Sequence, residues 1–217
     1  MAIPVQFVTL NQMASRNRIE VAAGDSALVR EALAVARRAH AGQVRETGNG
    51  EISFIDHPLA VAERLTVDDY PPEVIAAGLL HDTVEHAGYD PGELRERFGE
   101  EIAAAVLALT ADPAIPGYEE RKEELRERVA LAGPDARAVF AADKAANVAV
   151  LRKAYEILAE DVDDGLPVEL DRKILVWEYD LEMLFERSPG VLLADRLADE
   201  LIGLWGQRIQ DGRVGLC

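Results

Sequence analysis

Apolar positions along this chain recur every three to four residues, the period of a helix with one buried face, and strict alternation is nearly absent. Residues 1–24 carry little periodicity and read as an irregular lead-in, with one short strand expected at VQFVTL (5–10). DSALVREALAVARRAHAG (25–42) opens with capping residues, places Leu28, Ala32, Val35 and Ala39 on one stripe and closes at Gly42. QVRETGNGEISFID (43–56) is rich in turn residues and reads as a loop. Helices are then expected at 57–65, 72–86, 90–98, 100–110, 118–133 and 134–158. Asp90, Pro91 and Glu93 form a capping box with proline in the first turn. An acidic loop, EDVDDGLP, precedes two last helices at about 169–187 and 190–209. The pattern predicts an all-α fold of about eight to nine helices around one core. Residues 25–158 form its main body, and residues 159–217 pack on that body within the same domain.

Composition narrows the function classes. At 217 residues, 49% hydrophobic and 29% charged, the chain can build a sizeable core. No apolar run approaches the ~20 residues of a membrane span, and the start lacks the basic and apolar stretches of a signal peptide. The single cysteine, Cys217, permits no internal disulfide, so the cytoplasm is the expected compartment. Forty acidic against twenty-three basic residues give a net charge of −17. No basic patch is visible, so long nucleic acids and anionic membranes are poor partners. A small phosphorylated ligand would need local positive charge or a metal ion to offset the acidic field.

The chemistry-bearing positions cluster. All four histidines, His40, His57, His81 and His86, lie between residues 40 and 86. On the 72–86 helix, Val74, Gly78, His81 and Glu85 share one stripe, and Ile75, Leu79, Asp82 and His86 share the next. Both stripes begin apolar and end ionisable, so the helix leads from core to an enclosed polar site. Asp143 interrupts the core stripe of the 134–158 helix, with Asn147 one turn later. A lone buried carboxylate costs far too much, so Asp143 needs a partner. A metal shared with His81 and Asp82, and met by His57 from a separate segment, would supply one. Two imidazoles and two carboxylates suit Mn, Fe, Zn or a Mg-like ion. Simpler readings stand beside this one. His57 could be only a helix-start residue, Asp143 could pair with Arg37 or Arg38, and Glu85 could lie on the surface.

H-x-G-Q-x-R (40–45), HPLAVAERL (57–65), AAGLLHDTVE (76–85), FGEEIAAAVLALT (98–110) and ADKAANV (142–148) together resemble the HD-domain superfamily. The likeness is greatest to the hydrolase domain of the RelA/SpoT family and its small alarmone hydrolases. It covers residues 27–155 in order and approximate spacing. The resemblance implies an all-helical HD bundle, a divalent metal of the Mn type, and removal of the 3′-pyrophosphate from guanosine tetra- or pentaphosphate. By position, it makes His57, His81, Asp82 and Asp143 the metal ligands. Glu85 matches an acidic residue that orients and activates water. Arg45 and Asn147 match residues at the nucleotide pocket.

The chain departs from that pattern at several points. Glu85-His86 stands where the family has Glu-Asp, and Glu46 where it has a second basic residue. The loop before His57 carries about three extra residues, and Ala146 and Ala149 replace a His and an Arg. Losing positive charge around Arg45 should weaken the hold on a polyphosphate. His86 could serve as general base in place of the Asp. The leading expectation is therefore a metal-dependent nucleotide phosphohydrolase, with Glu85 and His86 as its catalytic pair. The alternatives are a phosphatase of nucleoside monophosphates or small phosphoesters, and a nucleotide-binding regulatory protein with little turnover. The expected partner is a small phosphorylated nucleotide. The amphipathic C-terminal helices could cover the core or form a homodimer contact.

Overall fold

The computed structural model describes residues 19–158 and 168–210, apart from 21, 48 and 49. The strand expected at 5–10 and the acidic loop at 160–167 lie outside the described residues. Ten helices are delimited among them, with one small hairpin. They are α1 (Ala27–Ala39), α2 (Asp56–Val67), α3 (Pro72–Leu80), α4 (Thr83–Ala87), α5 (Pro91–Phe98), α6 (Glu100–Leu109), α7 (Tyr118–Leu131), α8 (Pro134–Leu158), α9 (Val168–Arg187) and α10 (Leu192–Gln210). The fold is all-α, and no helix among the described residues is long and apolar enough to cross a membrane.

The caps expected from sequence are present. Ser26 accepts from Val29 N at the start of α1, and Asp90 accepts from Glu93 N at 2.8 Å with Pro91 at the first helical position of α5. The buried face of α1 is Val29, Ala32, Leu33, Val35 and Ala36, turned slightly from the expected stripe. The lead-in is not irregular throughout. Residues 22–25 are helical, and Ile19 and Ala23, one turn apart, are buried in the core.

Two further expectations change. The 43–56 segment is not simply a loop but holds an antiparallel hairpin of β1 (Val44–Thr47) and β2 (Gly50–Ser53), with Arg45 opposite Ile52. Four-residue strands are too short to display a period of two, so turn residues dominate their sequence signal. The single helix expected at 72–86 divides into α3 and α4 at His81-Asp82, which raises the count to ten.

Helix α8 is the central element. It packs against α2, α3, α6, α7, α9 and α10. Its residues Ala138 to Ala146 are all buried, a run that includes Asp143 and Lys144. Helix α3 is enclosed in turn by α1, α2, α6 and α8, and every residue from Val74 to Leu80 is buried. The crossing of α2 and α3 is close. A Cβ at Gly78 would stand 2.5 Å from Leu65 Cδ1 and 3.5 Å from Val61 Cγ1. Leu65 is fully buried and has nowhere to move.

Gly78→Ala is therefore expected to lower the free energy of unfolding by about 1 kcal/mol. Overpacking costs about 1–3 kcal/mol, and the better helix propensity of alanine returns about 1. Urea denaturation of the two proteins checks this. A raised midpoint would mean that Leu65 yields freely.

Candidate active site

The break between α3 and α4 aims the site. His81 Nδ1 bonds to Gly78 O at 2.8 Å, and Thr83 Oγ1 donates to Leu80 O at 2.7 Å. These side chains engage carbonyls of the last turn of α3, in place of continued helical bonding. Asp82 relaxes to φ −92° and ψ −6°, the bridge region between helix and extended backbone. With Nδ1 donating to a carbonyl, Nε2 is the ring nitrogen turned toward the site. That Nε2 is buried and has no hydrogen-bond partner. Asp82 Oδ1 stands 3.2 Å from it, so an imidazole nitrogen and a carboxylate oxygen face one point where a cation could meet both.

Three segments converge on it. His57 comes from the first turn of α2, and its Nε2 lies 3.0 Å from Asp143 Oδ1 of α8. Asp82 Oδ1 is 3.2 Å from His81 Nε2, and Asp82 Oδ2 is 3.7 Å from His57 Nε2. One donor atom each from His57, His81 and Asp143 falls within 4.8 Å of the others, a grouping that could hold a metal ion. Burial raises the Asp143 carboxyl, but Lys144, His57 and His81 outweigh it and hold the group well below the usual carboxylate range. Asp82 is likewise held down by His81 and His57 against its own burial. Burial lowers His57, more than the carboxylates beside it raise it. The resulting set is two ionised carboxylates with a neutral His57, the protonation that a divalent cation requires.

Neither Arg37 nor Arg38 partners Asp143. Arg37 pairs with Glu20 at 3.2 Å, and Arg38 is exposed. The partner is the adjacent Lys144, whose buried Nζ donates to Asp143 Oδ2 at 2.7 Å and lies 4.4 Å from the Phe140 ring centroid. Lys144, Lys122 and Asp180 were not among the expected site residues. Asp180 is buried on α9 and accepts from Arg126 Nε at 2.8 Å, and its charge bears on Lys144. The one sequence signal for Lys144 is a lysine inside the apolar run VFAADKAANVAV.

The remaining expected residues ring this centre. Asn147 Nδ2 donates to Asp143 Oδ1 at 2.7 Å, and its Oδ1 accepts from Arg45 Nη2 at 3.1 Å. The hairpin thus directs Arg45 at α8, with the guanidinium 5.5 Å from the Phe54 ring centroid. The side chain of Glu46 lies outside the described residues. Glu85 is not simply at the surface: its Oε2 accepts from Ala111 N at 2.8 Å, and its Oε1 is 3.6 Å from His86 Nε2. The His86 side chain is 44% exposed, 3.9 Å from Asp82 Oδ1, and its backbone carbonyl accepts from Gln43 Nε2. Arg45, His57, His81, Asp82, Glu85, His86, Asp143 and Asn147 all line one cavity of about 210 Å³, and Lys122 and Lys144 line it with them.

Comparison with known proteins shows the family. The profile of the family described as HD domain matches residues 32–162. Human guanosine-3′,5′-bis(diphosphate) 3′-pyrophosphohydrolase is 31% identical over 131 residues, which cover 59% of this chain and 72% of the human protein. A GTP pyrophosphokinase of Streptomyces coelicolor is 30% identical over 192 residues, which cover 83% of this chain. The chain spans only 21% of that relative's length. The solved structure of a metazoan ortholog of SpoT that hydrolyses ppGpp superposes with a TM-score of 0.58 at 22% identity, covering 87% of this chain and 98% of that one. That last likeness shows a shared fold. With the profile spanning more than half of its residues and the His-Asp pair at the centre of its site, this chain belongs to the HD-domain family.

Proposed function

We propose that this protein is a divalent-metal-dependent phosphohydrolase that cleaves the 3′-pyrophosphate from guanosine 3′,5′-bis(diphosphate), releasing GDP and pyrophosphate. The observation that carries this reading is the single cavity in which a metal-type donor cluster and separate cationic side chains meet. The activity named for the human relative supports the choice of substrate. His57, His81, Asp82 and Asp143 would hold the ion, with Mn²⁺ the first to test. The orphaned His81 Nε2 and the ionised carboxylates fit such an ion. When bound, a divalent ion lowers the pKa of a coordinated water and offsets charge on the phosphate.

The chain's own residues divide the remaining work. Ala111 N ties down Glu85 Oε2 and leaves Oε1 to accept a proton from the attacking water. His86 is the second acceptor, within 3.6 Å of that oxygen. Arg45 and Asn147 hold the nucleotide, each already ordered by its bond to the other. Residues 25–158 carry the chemistry, and α9 and α10 pack against α7 and α8 of that body.

A second reading rests on position 86 and the acidic Glu46. An imidazole in place of the second carboxylate, and less positive charge beside Arg45, favour a phosphatase of nucleoside monophosphates. Turnover of Mn²⁺-loaded protein on guanosine tetraphosphate and on nucleoside monophosphates, with products separated by ion exchange, decides between them. GDP and pyrophosphate should form, and a large preference for monophosphates would overturn the alarmone assignment.

Three outcomes follow from the site. Chelation should abolish turnover, and Mn²⁺ should restore it. Asp82→Asn should leave less than about 1% of the activity and lower the bound metal measured by atomic emission, since it removes an ionised donor. His86→Asp should raise kcat on guanosine tetraphosphate by about tenfold or more if the missing second carboxylate limits the rate. An unchanged kcat would shift the limit to the pocket.

A further inference from the structure

The cavity holds three cationic side chains, and two of them are committed within the protein. Lys144 donates to Asp143 Oδ2, and Arg45 donates to Asn147 Oδ1. Lys122, on α7, lines the same cavity. It has no carboxylate within 4.0 Å among the described residues, and its Nζ stands 6.0 Å from the Tyr118 ring centroid. Burial and the neighbouring Lys144 both disfavour its charge, while Glu85, Asp143 and Asp180 act on it only from a distance. Lys122 is half-buried, and a partly desolvated lysine without a bonded anion carries a cost. That cost disappears when an anion enters the cavity.

Asp82, Glu85 and Asp143 balance the three cations of the lining. A bound divalent ion therefore leaves the cavity net positive, as an entering polyanion requires. Arg45 and Lys122 approach from separate elements, the hairpin and α7. A polyphosphate entering the cavity meets both cations of that lining.

We propose that Lys122 is a phosphate-binding residue of this site, the second cation that the acidic Glu46 fails to supply. The proposal rests on the phosphohydrolase reading for its substrate, but not for its ligand chemistry. The residue was hidden in the sequence because YEERKEELRER reads as a solvated charged face.

The test compares Mn²⁺-loaded wild type with Lys122→Met, Lys122→Gln and Lys122→Arg. For the Met and Gln variants, KM for guanosine tetraphosphate should rise about tenfold or more, the loss of one charge-assisted hydrogen bond. Their kcat should change by less than about threefold, because Lys122 binds rather than reacts. Lys122→Arg should keep most of the affinity, and metal content should be equal in all four. A KM within twofold of wild type in both neutral variants overturns the proposal. If the wild type does not turn over guanosine tetraphosphate, the functional reading fails separately. Calorimetric binding of inorganic pyrophosphate to the same metal-loaded proteins then decides for Lys122. About tenfold weaker binding in the neutral variants supports it, and equal binding overturns it. Thermal melting identifies any variant that fails to fold, and the other neutral variant then carries the test.

Discussion

A carboxylate cannot sit unpaired in the middle of a buried helix, and Asp143 sits there. It lies in a run of α8 that is buried from Ala138 to Ala146. Everything around it answers that constraint. Lys144 supplies a counter-charge from the next residue, Asn147 a donor from the next turn, and His57 an imidazole from α2. His81 and Asp82 then close the site from the end of α3. The attraction between Asp143 and Lys144 is a condition of burying either one, more than a net gain in stability, since desolvating both ions offsets most of it. Removing one partner would leave the other charged and out of water.

The same crowding makes the site chemically poised. Asp143 Oδ2 is occupied by Lys144, whereas Oδ1 faces His57, His81 and Asn147. His81 has its Nδ1 fixed by a backbone carbonyl and its Nε2 buried without a hydrogen bond, 3.2 Å from Asp82 Oδ1. A divalent cation could satisfy several of these lone pairs at once. Around that cluster stands a second set of groups, Arg45, Asn147 and Lys122, whose chemistry suits phosphate oxygens instead. The two sets share α8, which carries Asp143 and Asn147, while α2, the end of α3, the hairpin and α7 bring the others to it.

Much of this was legible in the sequence because it follows from periodicity. The stripes that end in His81 and Asp82, and the interrupted stripe at Asp143, lie on elements whose spacing is plain, and the family resemblance rested on the same residues. What was not legible depends on tertiary detail. The division of the 72–86 helix arises from two side-chain bonds to carbonyls, at Gly78 and Leu80, that a continuous apolar pattern does not reveal. The hairpin is too short to show alternation. Lys122 and Lys144 belong to the residue type most often solvated, and only the packing around α8 buries Lys144 and half-buries Lys122. Asp143 was expected to need a partner, and Arg37 and Arg38 were the charges at hand in the sequence. The fold turns Arg37 to Glu20 instead.

The central claim is that His57, His81, Asp82 and Asp143 form one divalent-ion site. Anomalous scattering at the manganese edge, from crystals of the Mn²⁺-loaded protein, tests it most directly. The account predicts a strong peak bounded by His57 Nε2, His81 Nε2 and one carboxylate oxygen each of Asp82 and Asp143. No peak in the cavity, with His57 still bonded to Asp143 and His81 Nε2 still unpartnered, would contradict it.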